Sequence, residues 1–178
     1  MKTYTVNVSV NGSTEWYLDG KLHREDGPAV TVRSGGTFYE EWYINGELHR
    51  KDGPAVKSYY SKDGNGGFEK WYLNGKLHRK GGPAIEYKDG TKCWFLDGKR
   101  HREDGPACEF VNGTKKWYIH GKRHREDGPA VISTEDGTKQ WWIDGESISQ
   151  EKFNKLKAKE LTVAEVEKLL GHKVKIIK

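Results

Sequence analysis

His23, Arg24, Glu25 and Asp26 stand side by side in the chain. Together those side chains could transfer protons, ligate a metal or bind phosphate. An imidazole beside carboxylates can pass protons or hold a divalent ion, and a guanidinium matches a phosphate. The cluster is not unique, however. His49, His78, His101 and His124 begin the same run, followed by Arg50, Arg79, Arg102 and Arg125. If each copy occupies a pair of strands, equivalent atoms lie about 10 Å apart, so five histidines cannot share one ion. A pair inside one copy, such as His23 with Asp26, would chelate only weakly. The recurrence predicts a structural role, in which His, Arg and Asp hydrogen-bond one segment onto its neighbour. No catalytic residue, metal ligand or cofactor site is assigned. Nor does the chain contain a nucleophile elbow, P-loop, zinc pattern or dinucleotide fingerprint.

The cluster belongs to a longer motif running from Trp16 to Ala29, which returns at Trp42, Trp71, Trp94 and Trp117 and, truncated, at Trp141. Successive Trp residues are 26, 29, 23, 23 and 24 positions apart. All five prolines sit in a Gly-Pro-Ala of the motif. Such a chain stacks one small unit rather than wrapping a unique core.

Each unit reads as two short strands. One follows Gly-Pro-Ala, as in Ala84 to Tyr87, and the other carries the Trp, as in Thr91 to Leu96. Asn11-Gly12, Asp89-Gly90, Asn112-Gly113 and Asp136-Gly137 between them predict two-residue hairpin turns. A second turn signal follows each Trp strand, at Asp19-Gly20, Asn45-Gly46, Asn74-Gly75, Asp97-Gly98, His120-Gly121 and Asp144-Gly145. The stretch from there to Pro is too short and polar for a helix and is expected to cross back as an irregular arm. Alternation separates a Trp ladder from a ladder of Tyr17, Tyr43, Tyr72, Phe95, Tyr118 and Trp142 on the opposite face. Each Trp is expected to be covered by the next unit.

Tyr4 to Val10 alternates and predicts a first strand. After Gly145 the repeat dissolves, and Ser149 to Lys159 reads as a helix with Phe153 and Leu156 three apart. Thr162 with Glu165 predicts a second helix ending near Gly171, and Lys173 to Lys178 a final strand. The fold class is thus mainly β: an elongated antiparallel hairpin array of about six units in a single twisted sheet over 1–148, with a small helical cap over 149–178.

Charge is unevenly placed. The 178 residues carry a net +5. Residues 149–178 hold eight Lys against four acids, whereas 1–148 hold 23 Lys plus Arg against 22 acids. The array is nearly neutral, which disfavours a nucleic-acid footprint along its length. No stretch approaches a membrane span, and the first residues lack the apolar run of a signal peptide. Cys93 and Cys108 are too few for a disulfide framework and are expected to be two reduced, packed thiols. A cytoplasmic protein is the expectation.

Trp, then Asn/Asp-Gly-Lys, then His, at a period near 23, resembles the MORN repeat over residues 1–148. The resemblance implies stacked β-hairpins in an elongated twisted sheet and a binding scaffold, in some members linked to phosphoinositide membranes. This chain departs from that pattern in the Arg after each His and in the Arg-Glu-Asp-Gly-Pro-Ala extension. The variant is similar to repeat proteins of tailed phages and bacteria. That similarity implies a location in the cytoplasm of a bacterial host and a role as inhibitor of a host defence protein.

What recurs is scaffold, so departures from the motif are the functional candidates. The arm position held by Leu22, Leu48 and Leu77 becomes Arg100 and Arg123, creating with Arg102 and Arg125 a basic patch. The insertion Lys57 to Phe68 is Gly-rich and brings Tyr59, Tyr60 and Phe68, an adaptable contact surface. The expected function is a non-catalytic interaction module for a protein partner. The alternative is a binder of nucleic acid or a small phosphorylated ligand through the repeated Arg, His and aromatic residues.

Overall fold

A computed structural model describes residues 2–60 and 66–160. The second helix and final strand expected after Glu160, and Ser61 to Asn65 of the insertion, lie outside them.

One long antiparallel sheet carries the molecule, with thirteen strands following one another along it. They are Tyr4–Val8, Thr14–Leu18, Val30–Ser34, Thr37–Glu41, Val56–Tyr60, Gly66–Lys70, Ile85–Tyr87, Lys92–Cys93, Cys108–Glu109, Lys115–Lys116, Val131–Ile132, Lys139–Ile143 and Glu146–Ile148. Each unit contributes a pair, and strand order follows chain order. At each complete motif the Trp N–H donates to the Ala carbonyl of the same unit, at 2.7 Å for Trp16 to Ala29 and 2.8 Å for Trp71 to Ala84. The Ala residues 29, 55, 84, 107 and 130 are fully buried, because only a methyl fits where the backbones meet.

The arm is more regular than its sequence suggests. After each Trp the chain forms a second, small hairpin: Tyr43–Ile44 with Glu47–Leu48, Tyr72–Leu73 with Lys76–Leu77, Phe95–Leu96 with Lys99–Arg100, and Tyr118–Ile119 with Lys122–Arg123. Only the following His-Arg-x-Asp-Gly-Pro stretch is irregular. The two-residue turns expected in the main sheet are found instead in the arms. In the arm hairpins both central residues have positive φ, as at Asn45 (53°) and Gly46 (85°), which defines the two-residue turn matched to strand twist. The main-sheet turns at Asn11-Gly12, Asp89-Gly90 and Asn112-Gly113 are three-residue loops. Gly12 N–H donates to Ser9 and Ser9 N–H to Ser13, and Asn11 Oδ1 accepts from the Ser13 N–H at 3.1 Å. The Asn or Asp side chain serves the backbone there instead of adopting positive φ.

The two sheet faces differ. On one, the register runs Glu40, Lys57, Glu69, Glu86, Lys92, Glu109, Lys115 across successive strands, a charged row beside the Trp ladder. On the other, Val30, Val56, Ile85, Cys93, Cys108 and Val131 recur in one row, where Cys93, Phe95, Cys108 and Ala84 form a buried cluster.

Cys93 and Cys108 correct the expectation of two reduced thiols. They are register partners with Cα atoms 4.2 Å apart and are joined as a disulfide. The physical reason is positional. The residue before each Trp and the residue after each Gly-Pro-Ala face one another in every internal unit, as Glu41 faces Val56 and Lys116 faces Val131.

The first helix, Gln150–Glu160, starts one residue later than expected. Ser149 Oγ accepts from the Lys152 N–H at 3.1 Å, an N-cap. Its Phe153 is buried against the last unit beside Ile143.

Candidate functional site

Each repeated arginine is fastened over its Trp and to a proline carbonyl, and Arg24, Arg102 and Arg125 also to an Asp. Arg102 sits over Trp94 with its guanidinium carbon 3.9 Å from the ring centroid. Its Nε donates to Asp104 at 2.8 Å and its Nη1 to the Pro106 carbonyl at 3.3 Å. Arg24, Arg50, Arg79 and Arg125 cover Trp16, Trp42, Trp71 and Trp117 at 3.8–4.1 Å. All donate to the proline carbonyl of their own unit. Thus a lid from the same unit is added to whatever shelter the neighbouring unit gives each indole. The guanidinium beside Asp26, Asp104 and Asp127 holds those carboxyls below the usual range, first through the hydrogen bond from Arg24, Arg102 and Arg125.

The histidines tie unit to unit. Nδ1 of His23, His49, His78, His101 and His124 accepts the backbone N–H of the next unit's turn residue, respectively Asn45, Asn74, Asp97, His120 and Asp144, at 3.1–3.3 Å. Arg N–H groups donate to the next aromatic's carbonyl, as Arg24 does to Tyr43 at 3.0 Å. The His-Arg-x-Asp run therefore fastens each unit to the next through the His side chain and the Arg backbone N–H. Between successive arms lie open clefts, one of about 740 Å³ lined by Arg102, Trp117 and Arg125 and another of about 570 Å³ lined by Arg50, Trp71 and Arg79. The arginines do not converge on one pocket. Among the described residues, no group of three or more His, Cys, Asp or Glu is placed to hold a metal ion.

The candidate arginines divide into two kinds. Arg102 and Arg125 belong to the fastener, and Arg102 also pairs with Glu109 at 3.0 Å. Arg100 and Arg123 pair with no carboxylate among the described residues. Arg100 stands between Phe95 and Tyr118, 5.4 and 5.5 Å from their ring centroids. Arg123 lies over Trp142 at 4.8 Å and donates to Tyr118 Oη at 3.3 Å. Both occupy the slot that Leu22, Leu48 and Leu77 occupy elsewhere, opposite the arm aromatic.

The insertion lengthens a hairpin. Val56–Tyr60 pairs with Gly66–Lys70 over five residues. Tyr59 points to the charged face, where its ring stacks on Phe38 at 6.5 Å. Tyr60 and Phe68 lie on the opposite face, Tyr60 half exposed at 49%. Phe68 contacts Tyr39 and Tyr87, with centroids 6.4 and 5.8 Å away. Val32, Tyr39, Ser58, Phe68 and Tyr87 form one register row, and Val32 and Tyr87 are exposed. Val32, Tyr39 and Tyr87 were not candidates from sequence. Their alternation with Phe68 across hairpins of different length becomes visible only with the register. Burial pushes the phenols of Tyr39, Tyr43 and Tyr72 up, Tyr43 to about 12, with the Glu41 carboxylate adding to the effect.

Comparison with known proteins assigns no family: no protein-family model matches the chain, and no curated protein is similar to it. No helix among the described residues is long and apolar enough to cross a membrane.

Proposed function

We propose that the chain is a non-catalytic interaction module, a MORN-like scaffold that docks a protein partner on its aromatic face. One observation carries this reading. The lengthened strands of the second and third units bring Tyr60 and Phe68 beside Val32 and Tyr87, a group of apolar and aromatic side chains on one face of the sheet. Adjacent exposed aromatics of this kind suit a partner surface. The recurring His, Arg and Asp are engaged internally, which leaves them little capacity for acid–base chemistry. In keeping with the likeness to phage repeat proteins, the partner is a host defence protein and this chain its inhibitor.

The test is affinity capture from host lysate with the native chain and with Tyr60→Asp/Tyr87→Asp. A stoichiometric protein retained by the first and lost by the folded second supports the reading. Equal retention by both removes the aromatic face. Arg100 and Arg123, without carboxylate partners, favour a second reading, a phosphorylated ligand. Binding of such a ligand that weakens with salt and disappears in Arg100→Leu/Arg123→Leu supports it.

A further inference from the structure

The geometry points to a second copy of this chain as the partner of the sheet's first strand, giving a two-fold dimer with one continuous sheet. This goes beyond the docking reading and uses a different surface. Among the described residues, Tyr4–Val8 forms the edge of the sheet, bonded on one side only, to Thr14–Leu18. The two ends are treated differently. Beyond the last unit a helix buries Phe153, whereas at the first strand Val6, Val8 and Val10 are 38%, 69% and 110% exposed. Natural edge strands are guarded by Lys, Pro or bulges. Here Thr3 to Thr14 contain no charged residue and no proline, in a chain that is 32% charged.

The hydrogen-bond parity selects the register. Ser9 N–H donates to Ser13, so Asn7 and Thr5, at the same parity, also aim their backbone groups inward. Tyr4, Val6 and Val8 turn theirs outward. Antiparallel pairing of the strand with its own copy about Val6 sets outward groups against outward groups. Val6 then faces Val6 of the other copy, Tyr4 faces Val8, and Thr5 faces Asn7. All five residues pair, and the apolar side chains meet on one face. The contact is isologous and closed, so it makes a dimer and not a filament.

Sedimentation equilibrium of the full chain across the micromolar range reads this directly, with circular dichroism checking the fold. The native chain should sediment at twice the monomer mass. Val6→Lys, which sets like charges opposite one another, and Val8→Pro, which removes an outward N–H, should halve that mass with an unchanged spectrum. An equimolar mixture of Val6→Lys and Val6→Glu should restore the dimer. A monomeric native chain, or a dimer that persists in both folded single variants, overturns the proposal. Either result leaves the docking of a protein on the aromatic face untouched.

Discussion

The guanidinium of Arg102 covers the indole of Trp94 at 3.9 Å while its Nε holds Asp104 at 2.8 Å. One side chain thereby closes an aromatic surface and anchors the loop that returns to the sheet. A cation over an indole contributes about 0.5–2 kcal/mol, while the bond to the exposed Asp104 fixes the loop's position more than it adds stability. The cover over the indole recurs in all five complete motifs and the Asp contact in three of them, which explains why Arg follows each His. The motif fastens the array, and partner contact falls to residues that break the pattern.

Reduction should weaken the protein. The Cys93–Cys108 disulfide closes a chain separation of 15 residues, for which the loop-entropy model gives about 3 kcal/mol. Urea unfolding with and without a thiol reductant should differ by that order. Cys93→Ala/Cys108→Ala should show the lower value in both conditions. Coincident curves for the native chain would remove the disulfide from the stability account.

Stability should fall at both ends of the pH scale. Asp26, Asp104 and Asp127 have lowered folded pKa values, and Asp136 is held at about 2 by donors from Thr138 and Ser133. Depressed carboxyls contribute fully above their unfolded pKa and lose that contribution as pH falls through the folded one. Tyr43, raised to about 12, and Tyr39 and Tyr72, raised likewise, contribute below the unfolded value and lose it as pH climbs through the folded one. Thermal midpoints should therefore decline below pH 4 and again above pH 10. A profile flat across either window contradicts the assigned contacts.

Arg100→Leu/Arg123→Leu restores the residue that the other units place between arm aromatics. Unfolding free energy should change by less than about 1 kcal/mol, because each guanidinium now fills an apolar slot. A loss of several kcal/mol would mean that the two arginines make contacts that Leu cannot replace.

His120 is the one arm-turn residue of its kind that is neither Asn nor Asp, at φ 48°. Asn tolerates this region better, and the Asn side chain would meet His101 as Asn45 meets His23 at 2.9 Å. His120→Asn should raise stability by about 0.5 kcal/mol. A fall would show that the contact between the His101 and His120 rings, 4.4 Å apart, is itself stabilising.

Much of the fold was legible because period and turn residues are local signals. The paired strands and Phe153 on the first cap helix could be read from spacing. The inter-unit role of the His run followed from its recurrence. What stayed hidden depends on register. The disulfide could have been found by asking which residue faces the one before each Trp. The arginine lid could not, because Arg and Trp lie eight apart in an irregular arm with no fixed period. The main-sheet turns are misjudged by reading Asn-Gly and Asp-Gly alone, without the side-chain bond to the residue two positions on. Of the candidate site, Tyr60 and Phe68 fall in the aromatic group, Tyr60 exposed and Phe68 half-buried. Arg102 and Arg125 are part of the scaffold, as their recurrence implied.

The most direct test of the fastening account is urea unfolding of Arg102→Ala alongside partner capture by the folded variant. The account predicts a loss of about 2 kcal/mol with capture unchanged. Stability within about 0.5 kcal/mol of the native chain, the usual range of an uninvolved surface site, together with lost capture, would contradict it.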